Sequence, residues 1–291
     1  MIKVFFNPLQ TAARNESFSP SATKPTLVAE AFSKLPGVSI EGSFLPVTEE
    51  MFSKVHDSAY VKGVLNCLQP NGFGNTLPEV ARSLPWTSGS MLAAAVHAIE
   101  NRTAACSLTS GFHHAGYSSG HGFCTFNGLM VTAVELLNLG YKKIGILDLD
   151  AHLGDGTLDI IKTLKLEKKI VHYTFGAEFR AFKTESLWLE SLPQILIDDF
   201  SEVDIILYQA GADPHEKDPL GGYLSTQAMA ERDAIVFQQC LELGIPVAWN
   251  LAGGYQKPIE KVIELHVNTL KACLAVFGTP NKEKSLEPKN F

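Results

Sequence analysis

The sequence predicts an α/β domain, with a central, mostly parallel β-sheet flanked by helices. Three observations carry that expectation. Short apolar runs alternate along the chain with longer amphipathic ones. The short runs are apolar almost throughout, as strands covered on both faces are. Four of them end in a group competent for chemistry, as the ligand-binding edge of an open parallel sheet does.

The expected strands are IKVFFN (2–7), AACSLT (104–109), KIGILDL (143–149), KIVHYTF (169–175), VDIILYQ (203–209) and PVAWNL (246–251). Helical spacing places helices over 22–35, 89–101, 127–139, 155–164, 223–243 and 257–276. Over 223–243, Met229, Ile235, Val236, Phe237 and Leu241 form one apolar face. Two polar segments, 7–25 and 68–86, read as long connections, which often form functional rims. One domain is expected over residues 1–277, followed by a polar tail, GTPNKEKSLEPKNF, over 278–291.

The 291 residues are 45% apolar and 19% charged, an ordinary globular composition. A net charge of −7 argues against a nucleic-acid partner, which usually meets a basic face. No apolar run reaches the ~18 residues of a membrane span, and the start, MIKVFFNPLQ, lacks the apolar region of a signal peptide. Cys67, Cys106, Cys124, Cys240 and Cys273 are odd in number and form no CxxC pair. That usage suits a reducing, cytoplasmic compartment. Oligomeric state leaves no signal.

The strand ends concentrate the chemistry. After AACSLT come His113 and His114; KIGILDL, which contains Asp148, is followed by Asp150, His152 and Asp155. After VDIILYQ comes Asp213, and after PVAWNL come Gly253, Gly254 and Tyr255. Parallel strands bring these ends to one edge. Asp150, His152 and Asp213 suit a divalent ion with an open position for water: Zn²⁺, or another ion with the same ligand preference. In extended backbone, residues two apart share a side, so Asp150 and His152 are expected to reach one ion. His113 and His114 supply acid/base groups, with Asp148 and Asp155 as carboxylate partners that fix their tautomers. Tyr255 offers a phenol to a developing oxyanion.

Each piece also has a plainer reading. A His-His pair suits a polar loop, a DxD after a strand suits a helix cap, and Asp155 suits the first turn of helix 155–164. GGY suits a turn. His121, His172 and His215 read as loop or core histidines.

Taken together, SGFHHAGYSSGHGFCTFNG (110–128), LDLDAHLGDGT (147–157), YQAGADPHEKDPLGG (208–222) and LAGGYQ (251–256) resemble the zinc-dependent histone deacetylase family. VTEEMFSKVHDSAYV (47–61) resembles its early VH…YV segment, and the likeness runs from about residue 44 to 272. GFHH and GGYQ are most like the small class I and class IV-like members, including bacterial deacetylase-like proteins. The resemblance implies the arginase–deacetylase fold and one Zn²⁺ per chain, with Fe²⁺ as the alternative, held by Asp150, His152 and Asp213. It implies His114 as general base and then acid, paired with Asp155, and His113 as an electrostatic aid paired with Asp148. Tyr255 would hold the oxyanion. Gly122, Phe123, Leu220 and Gly253 would line the substrate channel. The DxDxH order favours one metal over the two manganese ions of the arginase branch.

Some positions depart from the family pattern. KIVHYTF stands where a Ser-Leu-His segment usually helps to hold a structural K⁺, so His172 or Thr174 puts that ion in question. Phe179 is the expected second channel aromatic, and the substrate-gripping rim Asp has no equivalent in 71–86. Leu220 falls where polyamine-specific relatives carry an acid. The implied substrate is an acylated protein or peptide lysine. The alternatives are acetylpolyamine or another small N-acyl amine, and a non-catalytic acyl-lysine binding protein.

Overall fold

The computed structural model describes residues 1–278; beyond Gly278, the expected tail lies outside the described residues. Seven strands form the sheet: β1 (Ile2–Phe5), β2 (Val38–Glu41), β3 (Ala104–Ser107), β4 (Ile144–Asp148), β5 (Ile170–Thr174), β6 (Ile205–Gly211) and β7 (Val247–Ala252). Their order is β2-β1-β3-β7-β6-β4-β5, and every neighbouring pair is parallel. The four strands whose ends carry the candidate chemistry, β3, β7, β6 and β4, are therefore consecutive neighbours. Their carboxyl ends make one continuous edge, the usual place for a ligand in such a sheet.

The helices are α1 (Lys24–Phe32), α2 (Glu49–Ser53), α3 (Ser58–Leu65), α4 (Pro78–Asn101), α5 (Gly128–Asn138), α6 (Asp155–Thr163), α7 (Phe175–Glu178), α8 (Glu185–Phe200), α9 (Thr226–Leu243) and α10 (Glu260–Phe277). Successive strand residues point to opposite faces, so each strand feeds two cores. Leu147 packs with Val28, Trp188, Phe237 and Leu270 from α1, α8, α9 and α10. Its neighbour Ile146 packs with Met91, Leu129 and Ile160 from α4, α5 and α6. Burial on both faces explains why the strands read as apolar runs.

Where the structure departs from the sequence reading, the cause is local. The segment 68–86, expected to be a connection, ends in the first turns of α4, which starts at Pro78 and continues through Pro85. Proline suits the first turn of a helix but opposes its interior. Packing of Val80, Leu84 and Met91 offsets that opposition. Pro193 similarly hides α8, although Trp188, Leu192, Leu196 and Phe200 bury one of its faces. β2 is short and half-exposed, so it carries little apolar signal.

His56, from the VH segment, pins the loop after β3. Its Nδ1 donates to Gly116 O at 2.8 Å, and its Nε2 accepts from Asn127 N at 2.9 Å. That pair of bonds requires the neutral ring. Burial holds the His56 pKa down at about 4, and burial drives His266 well below its usual range. Both residues lose stability as pH falls, because the unfolded chain takes up protons from about pH 6.5 downward while the folded chain resists. His56 alone accounts for on the order of 3 kcal/mol across that window. Between pH 6.5 and pH 5 the urea midpoint of the wild type should fall by more than that of His56→Gln; an equal fall in the two would contradict a neutral buried ring at His56.

Candidate active site

The two histidines after β3 each meet a carboxylate through Nδ1. His113 Nδ1 lies 2.6 Å from Asp148 Oδ2, and His114 Nδ1 lies 2.6 Å from Asp155 Oδ1. The first pair is buried and the second is partly open. Burial alone would lower His113, but the Asp148 and Asp150 charges prevail and raise its pKa to about 9. His114 is lowered, first by burial and then by the neighbouring His113 charge. The two adjacent imidazoles are thus pulled in opposite directions. Asp155 is also the first residue of α6, so the helix-start reading and the partner reading both hold.

Asp148 is fully engaged. Its other oxygen accepts from Gln209 Nε2 at 3.0 Å and lies 3.2 Å from Asp150 N, while Gln209 Oε1 accepts from Phe112 N at 3.0 Å. Gln209 therefore ties β6 to β4 and to the loop carrying the histidines. Thr174 Oγ1 accepts from Gly154 N at 3.0 Å. His172 is largely buried, with neither ring nitrogen hydrogen-bonded among the described residues.

Asp150, His152 and Asp213 converge, by a route other than the one expected. The chain leaves β4 at Asp148 and bends over 150–152 instead of staying extended. Asp150 Oδ1 accepts from His152 N at 3.0 Å, and His152 Nδ1 lies 3.0 Å from both Asp150 Oδ1 and Asp213 Oδ2. Asp213 Oδ1 accepts from Ala151 N at 3.1 Å, whereas its Oδ2 is buried without a hydrogen bond among the described residues. Burial and then Asp150 raise the Asp213 pKa. Asp150 is lowered despite burial, by His113 and His152. The hydrogen bond with Asp150, and then the adjoining Asp213 carboxylate, carry His152 to about 11. Two buried carboxylates beside one imidazole, with an orphaned oxygen among them, fit a divalent cation.

Backbone support comes from residues that carried no sequence signal. The buried Arg232 guanidinium donates to Leu149 O at 3.1 Å and Gly211 O at 2.8 Å. It thus braces the strand exits that lead to Asp150 and Asp213. Asp233 holds that guanidinium at 2.8 Å. A Cβ at Gly211 would lie 2.5 Å from Asp150 Cα, so only glycine lets the two exits approach this closely. Buried Lys24 donates to Gly253 O, and Asp218 Oδ2 accepts from Tyr255 N at 2.7 Å, so the tyrosine loop is held from both sides.

The histidines, Asp150, His152, Phe123 and Tyr255 surround a cavity of about 190 Å³, which Gly122, Leu220 and Gly253 also line. Phe123 sits at φ +66°, a strained conformation for a non-glycine residue. It packs 5.3 Å from Phe18, 5.7 Å from Phe73 and 5.8 Å from Tyr255. Phe18, unremarked in the sequence, is the aromatic neighbour at the rim. Phe179 is not; it packs against Phe175 at 4.6 Å and against Trp188. His121 is no bystander, since its Nε2 lies 3.1 Å from Asp155 Oδ2. His215 is a supporting loop residue, with Nε2 2.8 Å from Thr226 Oγ1.

Gly253, at φ +51°, has no room for a Cβ, which would strike the Asp213 carboxyl group. Gly253→Ala should therefore yield folded protein with substoichiometric metal, read by elemental analysis alongside circular dichroism. Full metal loading would contradict the proximity argument.

Comparison with known proteins gives a consistent result. The histone deacetylase domain profile matches residues 23–175 and 165–270. An uncharacterized protein of Picosynechococcus sp. is 32% identical over 243 residues, 76% of this chain and 79% of that one. Histone deacetylase 2 of Arabidopsis thaliana is 28% identical over 246 residues, 77% of this chain and 63% of that protein. The crystal structure of acetylpolyamine aminohydrolase from Burkholderia pseudomallei superposes with a TM-score of 0.76 at 16% identity, covering 95% of this chain and 99% of that one, which establishes a shared fold.

Proposed function

The chain belongs to the histone deacetylase family, and from that premise we propose that it hydrolyses N-acyl-lysine side chains of proteins or peptides with one bound divalent ion. The observation that carries this reading is the meeting of two His–Asp pairs with Asp150, His152 and Asp213 beside one cavity, which both paired histidines, Asp150 and His152 line.

Asp150, His152 and Asp213 would hold the ion, Zn²⁺ or alternatively Fe²⁺, which supplies Lewis-acid polarisation of the amide carbonyl and a lowered pKa for water. His114, neutral and oriented by Asp155, takes the proton of the attacking water and returns it to the departing amine. His113, held charged by Asp148, stabilises negative charge without exchanging its proton. Tyr255 donates its phenolic hydrogen to the carbonyl oxygen as charge develops there; burial first, then the Asp213 charge, holds that proton on the phenol. Phe123 and Phe18 flank the channel for the lysine stem.

Charge at the mouth supports a peptide over a polyamine. A groove of about 820 Å³ shares Leu220 and Tyr255 with the cavity and is lined by Lys217, Lys257 and Lys261. Lys261 lies 3.7 Å from Glu264, while Lys217 and Lys257 form no ion pair among the described residues. A polycation meets net repulsion there. Among the described residues no helix is long and apolar enough to cross a membrane. The five cysteines are free, which supports a reducing, cytoplasmic setting.

The test is turnover of acyl-lysine peptides and acetylspermidine by one purified sample, with metal content measured and a chelator control. Chelator-sensitive cleavage of the peptides in preference to acetylspermidine is expected; the reverse preference would make the protein a small-amine amidohydrolase. Metal-loaded protein that binds acyl-lysine without cleaving it would make it a binding protein. Tyr255→Phe should keep its metal while kcat falls on the order of 10²–10³-fold. Near-normal kcat would remove Tyr255 from the mechanism.

A further inference from the structure

His121 gives this site a feature that the reaction does not use. Asp155 faces two imidazoles: Oδ1 lies 2.6 Å from His114 Nδ1, and Oδ2 lies 3.1 Å from His121 Nε2. The two rings are 4.9 Å apart and inclined by 34°. A ligand atom from each of His114, His121 and Asp155 lies within 4.8 Å of the others. None of the three belongs to the Asp150, His152 and Asp213 group.

The backbone under this cluster is fixed. Cys124 N donates to His121 O at 2.9 Å, and Phe123 N donates to Gly72 O at 3.0 Å, closing the turn that presents His121. Asp155 is anchored at the start of α6. His121 and Asp155 have 56% and 44% of their side-chain surface exposed, which leaves a path from solvent and room for water ligands. Two imidazoles and a carboxylate with open positions form a donor set for a borderline divalent cation.

We propose that His114, His121 and Asp155 form a second, weaker Zn²⁺ site whose occupation inhibits the enzyme. The site stands on the geometry alone; the inhibition rests on the proposed role of His114. Ligation through Nδ1 of His114 breaks its bond to Asp155 and moves that proton to Nε2, which can then accept none. Ligation through Nε2 occupies the nitrogen that would accept the proton of water. Either way the base is lost, so activity follows the zinc-to-protein ratio through a maximum.

The test is Zn²⁺ binding to chelator-stripped protein by calorimetry, repeated on His121→Ala, His121→Gln and Asp213→Ala. Wild type should bind two ions, one tightly and one weakly. Both His121 variants should lose only the weak site, by at least the ~10-fold that losing even an outer-sphere partner costs. Asp213→Ala should lose only the tight one. In turnover, excess Zn²⁺ should inhibit wild type and spare the His121 variants, each measured relative to its own activity at one equivalent. Equal stoichiometry and affinity in wild type and both His121 variants would overturn the site. A wild type that binds one ion, lost in the His121 variants and kept in Asp213→Ala, would uphold the site while overturning the proposed catalytic metal.

Discussion

The interaction on which the rest depends is the approach of two buried carboxylates, Asp150 and Asp213, to one imidazole, His152. Burying like charges together is among the costliest arrangements a fold contains. It persists because the surroundings hold it from several directions. Arg232 grips the backbone carbonyls of Leu149 and Gly211, immediately before and shortly before the two acids. Gly211 and Gly253 remove the side chains that would push the strand exits apart. The parallel register of β4 and β6, with Asp148 opposite Gln209, sets the distance between them.

The same constraint orders the acid/base groups. Gln209 spans three elements: it donates to Asp148 and accepts from Phe112, next to His113. His56 then holds the far end of that loop through Gly116. The two histidines, adjacent in sequence, come to differ in electrostatics. His113 faces a buried carboxylate and the Asp150 charge, whereas His114 faces a half-exposed one and the positive charge of His113. Adjacency is useful because each imidazole biases the protonation of the other.

The fold was legible in the sequence wherever burial is simple. Strands covered on both faces advertise themselves as apolar runs, and β1 and β3 to β7 were readable on that ground. β2, half-exposed, and α4 and α8, with internal prolines, were not. There packing of Met91 or Trp188 overrides a local preference that the sequence displays openly.

By itself the sequence determined the α/β class, and it named polar groups that meet at the sheet edge, because parallel strands must deliver their ends to a common edge. Family likeness then assigned His113 to Asp148 and His114 to Asp155. Only the tertiary structure decided how the groups meet. Asp150 and His152 converge through a bend and a side-chain-to-backbone hydrogen bond rather than through strand alternation. Phe18 and not Phe179 stands beside Phe123, and His121 reaches Asp155. Lys24, Asp218 and Arg232 act through backbone carbonyls and amides. The reason is physical: contacts to backbone, and contacts between segments 100 or more residues apart such as Gly253 and Lys24, depend on distances in three dimensions, on which residue type and local periodicity carry no information.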